Sequence, residues 1–426
     1  MKITIIAVGS RGCVQPYIAL GVGLKKAGHE VRLATHAIFE KFVSSYGLKF
    51  AAIGDNPQEL LKQIVEKLKL QNKLIPVNLS FKIAFWRTFA SGLDRLMNDC
   101  WECSQDAEAI VYSELALPGH HIAEKLGILA YGAYTQPLRR TNAFRHTQSN
   151  FQLPQSFNWL THIFEEEFRW QFTRKKINQW RKTMNLLPLP ITGSYRQQQQ
   201  QQVPFFYCYS PSVIPKPSDW SESAYVTGYW FLELASDWQP PADLINFLES
   251  GEPPIYIGFG SMRSGNPETL TKLILAALER TGQRGIILTG WGALSNTDLP
   301  DNVFMIDSIP HNWLFPKMAA VVHHGGSGTT AAGLRAGVPS IIVPFGADQP
   351  FWGQKVAELG VGPAPIPQRE LTVEKLATAI EIAICDEKIK ERAAALGEKI
   401  RAEDGVERAI EIIDRYQLTN KNTGLE

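Results

Sequence analysis

Cysteine is scarce in this chain and odd in number, five residues in 426. An even, closely spaced disulfide framework is therefore excluded, and the thiols read as reduced. Cys100 and Cys103 form one C-x-x-C, but a structural zinc site would need a second pair, and the sequence has none. A surplus of charge is missing too. Lys and Arg total 43 against 42 Asp and Glu, a net charge of +1, which implies neither nucleic acid nor a strongly acidic partner. No apolar run reaches the roughly 20 residues that span a bilayer. The opening MKITIIAVGS reads as a β-strand, its apolar run too short for a signal peptide. The expected location is cytoplasmic, with peripheral contact at a membrane surface as the furthest departure.

What is present is a long chain with 44% hydrophobic residues and 21 Phe and 11 Trp, more than one ordinary core absorbs. Short apolar strands alternate with amphipathic helices. The spacing predicts strands at Ile3–Val8, Val31–Thr35, Phe50–Ile53, Ala109–Tyr112, Leu129–Tyr134 and Phe205–Tyr209, with a helix from about Gln15 to Ala27. Long helical regions follow at Leu60–Met97 and Trp159–Met184. The pattern then repeats: strand Ile255–Phe259, helix Pro267–Thr281, strands Gly285–Leu288, Val303–Ile306 and Ala320–His323, helices Phe351–Leu359 and Val373–Cys385. This is the signature of parallel, doubly wound α/β sheets. The expected organisation is an N-terminal domain over 1–215, a Pro-rich connection over 216–242, a second domain over 243–402, and a C-terminal helix over 403–426 packing back on the first domain. Gln197–Gln202 is a glutamine run and reads as a surface loop.

The most informative stretch is Val321–Gly353, VVHHGGSGTTAAGLRAGVPSIIVPFGADQPFWG. An apolar strand feeds a Gly-rich turn that opens a small-residue helix, and a second strand ends at Pro344 before Asp348 and Gln349. Backbone N–H groups at such a helix start attract a diphosphate, and Ser327 and Thr329 add hydroxyl donors. The turn is not a Walker A loop, because no Lys-Ser/Thr pair follows the glycines.

With Gly337-Val338-Pro339 and Pro344-Phe345, this stretch resembles the donor signature of glycosyltransferase family 1, nearest the sterol 3-β-glucosyltransferases and related antibiotic glucosyltransferases. The resemblance extends through Ser308–Pro316, Gly258–Met262, Val226–Trp230 and the N-terminal Gly9-Ser10-Arg11-Gly12, Val14-Gln15-Pro16, and so covers nearly the whole chain. It implies a GT-B fold, two Rossmann-like domains facing a central cleft, with inverting transfer and no metal or other cofactor. In keeping, no two aspartates stand two apart, so the D-x-D triplet of metal-dependent transferases is absent. By resemblance, His324, Gly326, Ser327, Gly328 and Thr329 hold the diphosphate. Ile309 and His311 touch the uracil–ribose part, Asp348 and Gln349 the sugar hydroxyls, and Ser10, Arg11 and Ser261 lie near the donor. The implied partners are UDP-glucose or a related nucleotide sugar and a lipophilic acceptor.

One position departs. Members of this branch carry an Asp as general base where this chain has Cys13. A carboxylate is ionised at neutral pH, whereas a thiol near pKa ~8.5 is mostly protonated unless a helix start stabilises the thiolate. Three readings stay open: another base such as Glu114, His120 or His121; an acidic acceptor; or a nucleotide-sugar-binding protein with little transfer. On the acceptor side, Trp86, Phe89, Phe151, Trp159, Phe164, Phe168, Trp170 and Phe172 fit either a helical core or an apolar pocket. Phe168–Met184, rich in Arg and Lys among aromatics, reads equally as a solvated basic face and as a contact for an anionic membrane.

Overall fold

The computed structural model of the chain describes residues 1–69, 77–149, 153–192, 203–234, 238–260, 267–289 and 299–422. Two units separate: Met1–Leu232 with Asp404–Glu426, and Glu233–Glu403. Ser261, Met262, Phe151 and Gln197–Gln202 lie outside the described residues.

The first unit runs β1 (Lys2–Ile6), α1 (Arg11–Lys26), β2 (Glu30–Thr35), α2 (Glu40–Ser44), β3 (Lys49–Ala52), α3 (Pro57–Lys69), α4 (Val77–Ser91), α5 (Leu93–Glu102), β4 (Ala109–Tyr112), α6 (Pro118–Leu126), β5 (Leu129–Tyr134), α7 (Asn158–Thr183), β6 (Phe205–Tyr207) and β7 (Ala224–Val226). The second runs α8 (Ala242–Glu249), β8 (Ile255–Gly258), α9 (Pro267–Thr281), β9 (Gly285–Leu288), β10 (Val303–Ile306), α10 (His311–Leu314), β11 (Ala320–His323), α11 (Ser327–Ala336), β12 (Ser340–Ile342), α12 (Gln349–Glu358), α13 (Val373–Cys385) and α14 (Glu387–Arg401). The last helix, α15 (Gly405–Asn422), belongs to the first unit.

Each sheet is wholly parallel. Strand order is β3-β2-β1-β4-β5-β6-β7 in the first unit and β10-β9-β8-β11-β12 in the second. Both orders reverse once, between β1 and β4 and between β8 and β11. Loops at the carboxyl ends of those strand pairs diverge to opposite faces and leave a crevice there.

Alternation along β1 shows why the sheet is buried on both faces. Ile3, Ile5 and Ala7 pack with Val14, Ile18 and Leu20 of α1 and with Ile410 and Ile413 of α15. Ile6 and Val8 point the other way, to Phe89, Met97, Trp170 and Trp180 from the helices of the opposite layer. In the second unit, Ile255, Ile257 and Phe259 meet Ile274, Leu376 and Ile380, while Tyr256 faces Leu314 and Phe315.

Two local expectations are corrected. Helix α1 begins at Arg11, not near Gln15: Gly12 lies in the first turn, whose N–H groups lack helical partners anyway, while Pro16 lies inside the helix and leaves out one intrahelical bond. Where it is described, the region Leu60–Met97 is helical as expected, with α4 and α5 meeting at Gly92. Within 216–242, Ala224–Val226 pairs in register with Phe205–Tyr207 as the edge strand, so the Pro-rich stretch is partly sheet.

Candidate active site

Unit by unit, the residues singled out by sequence gather at the two switch points. In the second unit, β11 ends at His323 and α11 starts at Ser327, with Gly326 at its N-cap in extended geometry and no side chain capping it. Thr330 N–H already bonds the Gly326 carbonyl at 2.9 Å. The N–H groups of Ser327, Gly328 and Thr329 precede it in the first turn, where helix geometry supplies no partner. Together with the positive end of the helix dipole they form an anion seat.

His324 overhangs this seat. Its ring is held between two glycines: a Cβ on Gly326 would stand 2.5 Å from Nε2, and one on Gly260 3.2 Å from Cε1. Burial draws the His324 imidazole down to about 4, so at neutral pH it meets an anion as an uncharged N–H donor. Its Nδ1 is buried without a hydrogen-bond partner among the described residues. His323, one residue earlier, is fully buried and accepts from Gly325 N–H at 3.1 Å, fixing the turn.

Gln349 is buried at the start of α12, and its Oε1 accepts from Phe345 N–H at 2.7 Å and Gly346 N–H at 3.1 Å. Two backbone donors settle which end of the amide faces them, so the NH₂ remains to be turned toward a ligand. Asp348 precedes the helix, with Oδ2 accepting from Trp352 Nε1 at 2.8 Å. The loop that presents the pair includes Ala347 at φ 55°, a left-handed residue with a side chain. His311 is locked sideways, its ring stacked 4.3 Å from Phe315 and its Nε2 3.3 Å from the Tyr256 hydroxyl. Ile309 is buried beside them in the same apolar cluster.

In the first unit, Ser10, Arg11 and Cys13 occupy the β1–α1 turn. Cys13 sits inside the first helical turn, Sγ 3.7 Å from Ser10 Oγ, against a Gly9 whose Cβ would stand 2.9 Å from that of Cys13. Arg11 lies over the Phe42 ring at 4.6 Å. Ser113, at the end of β4, accepts from Val8 N–H at 3.1 Å and ties the β1 and β4 loops together; His36 Nε2 accepts from Gly9 N–H at 3.0 Å.

Beside this turn, a pocket encloses about 710 Å³, its solvent mouth included, lined among others by Glu114, His120, Tyr134, Glu166, Arg169 and Trp170. Burial pushes the Glu114 carboxyl up from its ordinary range, with hydrogen bonds from Thr135 opposing. Glu166 is pushed up to about 7, chiefly by burial, although Arg140 pairs with it at 2.5 Å. His120 lies on α6 between the rings of Tyr112 and His121. His121 faces Arg181 Nη1 at 3.2 Å, and Arg181 pairs with Glu124 at 2.6 Å, so His121 belongs to a buried ion-pair cluster.

Of the aromatics, Trp86 and Phe89 are core, Trp170 lines the pocket, and Trp159 and Phe164 are 40% and 47% exposed. Within Phe168–Met184, Trp170, Ile177, Trp180 and Arg181 turn inward, while Lys175 and Lys182 are exposed. Glu166 and Arg169 escaped the sequence reading because charged residues on a long helix look like its solvated side. Among the described residues no helix is long and apolar enough to cross a membrane.

Comparison with known proteins identifies the family and the fold. Residues 3–145 match the glycosyltransferase family 28 N-terminal domain, and residues 274–413 match the erythromycin biosynthesis protein CIII-like C-terminal domain. The chain is 41% identical to the sterol 3-beta-glucosyltransferase UGT80B1 of Arabidopsis thaliana over 98% of its own length and 68% of that protein. It is 39% identical to a sterol 3-beta-glucosyltransferase of Cryptococcus neoformans, over 97% of this chain but only 27% of that one. The crystal structure of the kitacinnamycin glycosyltransferase superposes with a TM-score of 0.71 at 18% identity, covering 97% of this chain and 98% of the other, which shows the GT-B fold. The chain belongs to the UDP-glycosyltransferase superfamily, in the branch of the sterol 3-β-glucosyltransferases.

Proposed function

We propose that this chain is an inverting, metal-independent hexosyltransferase that moves glucose from UDP-glucose to a hydroxyl of a lipophilic acceptor such as a sterol or hopanoid. The observation that carries the reading is the anion seat of α11, overhung by His324 and flanked by Asp348 and Gln349. In this reading Ser327, Gly328 and Thr329 bind the diphosphate through N–H and hydroxyl groups. His324 and Gly326 shape the seat, and Asp348 with Gln349 bind sugar hydroxyls. Ile309 and His311 form the floor under the nucleoside; Ser10, Arg11 and Ser261 are assigned to the donor by resemblance.

Charge develops on the departing UDP as the glycosidic bond breaks. Preorganised dipoles at a helix start stabilise that charge without reorganising, the role a divalent ion fills elsewhere. The acceptor oxygen attacks the anomeric carbon from the opposite side, so configuration inverts. Lipophilic acceptors reside in membranes, and the aromatic pair Trp159 and Phe164, exposed at the start of α7, supports peripheral contact there.

The test is incubation of the purified chain with UDP-glucose and a panel of sterols, hopanoids and phenols, with glycosides identified by mass spectrometry and their anomeric configuration by NMR. Calorimetric binding of UDP-glucose without any glycoside would instead support a nucleotide-sugar-binding protein. Failure to bind UDP-glucose would sink both.

A further inference from the structure

Transfer to an alcohol needs a group that removes its proton, and the first unit's switch point holds a candidate on the loop after β4. Glu114 is the second residue after β4, the strand that neighbours β1 at the switch point. Its Oε1 accepts from Thr135 N–H at 2.5 Å and Thr135 Oγ1 at 2.7 Å, so one oxygen is anchored and the carboxylate is oriented. The residue lines the pocket next to the turn and keeps partial exposure there. Tyr17, one helical turn after Cys13 and fixed by its bond to the Ala133 carbonyl at 2.5 Å, interacts with both Cys13 and Glu114.

We propose that Glu114 is the general base of the transfer, taking the proton of the acceptor hydroxyl that enters this pocket. The assignment rests on the transferase reading above. The acceptor O–H bond breaks with its proton passing to Glu114, and the acceptor oxygen forms a bond to the anomeric carbon. The bond from that carbon to the diphosphate oxygen breaks, and its electron pair leaves with UDP. Release of the proton to solvent resets the carboxylate.

Two alternatives in the same neighbourhood are weaker. Cys13 Sγ is turned toward Ser10 Oγ in the first helical turn and is a thiol rather than a carboxylate. Glu166 shares the pocket, but its Oε2 is held by Arg140 on both Nε and Nη2, so this carboxylate is committed to an ion pair on α7 and does not stand on a loop at the switch point. A raised carboxyl at Glu114 suits the role, since a stronger base accepts more readily near neutral pH. Groups facing Glu114 from neighbouring elements are Tyr17 and, through it, Cys13 on α1, Tyr134 on β5 and Cys208 after β6. His120 on α6 and Glu166 and Arg169 on α7 line the same pocket.

The experiment compares the wild-type chain with Glu114→Gln, Glu114→Asp, Cys13→Ser and Glu166→Gln, using UDP-glucose with a sterol and with an acidic phenol. Glu114→Gln is expected to lower kcat with the sterol by ~10²–10⁴-fold while leaving UDP-glucose affinity within twofold. The loss should shrink at least about tenfold with the phenol, which gives up its proton unaided, and Glu114→Asp should restore part of the rate. A purely structural role would cost both acceptors equally, and that result would overturn the assignment. So would Glu114→Gln transferring like wild type, or Cys13→Ser or Glu166→Gln showing the acceptor-dependent loss instead. A wild-type chain that binds UDP-glucose and glycosylates neither acceptor overturns the transferase reading itself, and the base with it.

Discussion

Gly326 has no Cβ where one would stand 2.5 Å from Nε2 of His324, so the imidazole packs against the backbone at the N-cap of α11. Gly260, from the neighbouring strand end, closes the other side of the ring. The contact ties the identity of a glycine to the placement of an uncharged donor over an anion seat.

Gly326→Ala must push His324 aside, because nothing approaches a real Cβ that closely. Calorimetry should show UDP-glucose binding weakened by about tenfold or more, equivalent to ~1.4 kcal/mol. The melting temperature should move less, since the residue sits at an open helix start.

His324 also makes folding sensitive to acid. Its folded pKa of about 4 lies below the ordinary 6.5, so between those values the unfolded chain binds the extra proton. Stability from this residue is fully present above pH 6.5 and is lost as pH falls toward 4. Thermal melts of His324→Asn against wild type at pH 7 and pH 4.5 should show a smaller acid-induced drop in the variant.

Gln349→Glu keeps an oxygen for the N–H groups of Phe345 and Gly346 but removes the NH₂ donor and adds negative charge. Steady-state kinetics should show KM for UDP-glucose raised by about tenfold or more, with the melting temperature nearly unchanged.

Ala347 holds a left-handed conformation at φ 55°. Ala347→Gly relieves a strain of roughly 1 kcal/mol, partly offset by the greater freedom of glycine in the unfolded chain. Denaturant titration should find stability unchanged or slightly raised, whereas Ala347→Val should lower it by more than 1 kcal/mol or so, since a branched side chain tolerates positive φ poorly.

Much of this was legible before any coordinates because the signals are local. Strands Ala109–Tyr112, Val303–Ile306 and Ala320–His323 appear where their apolar runs put them. Element starts were harder. The spacing puts the helix start near Gln15, and only the structure shows α1 beginning at Arg11 and taking Cys13 into its first turn. Glu166 and Arg169 were invisible for a related reason, since a helix gives no sign in sequence of which charged face lies over a pocket.

By itself, the sequence determined the parallel α/β architecture and the Gly-rich turn that opens α11, because strand periodicity and helix starts depend on neighbours along the chain. Tertiary structure alone decided that Gly260 and Gly326 grip one imidazole, and that Glu114 comes to stand across a switch point from Cys13. Those pairings are set by strand order, and strand order is a long-range choice made by burying both faces of a sheet.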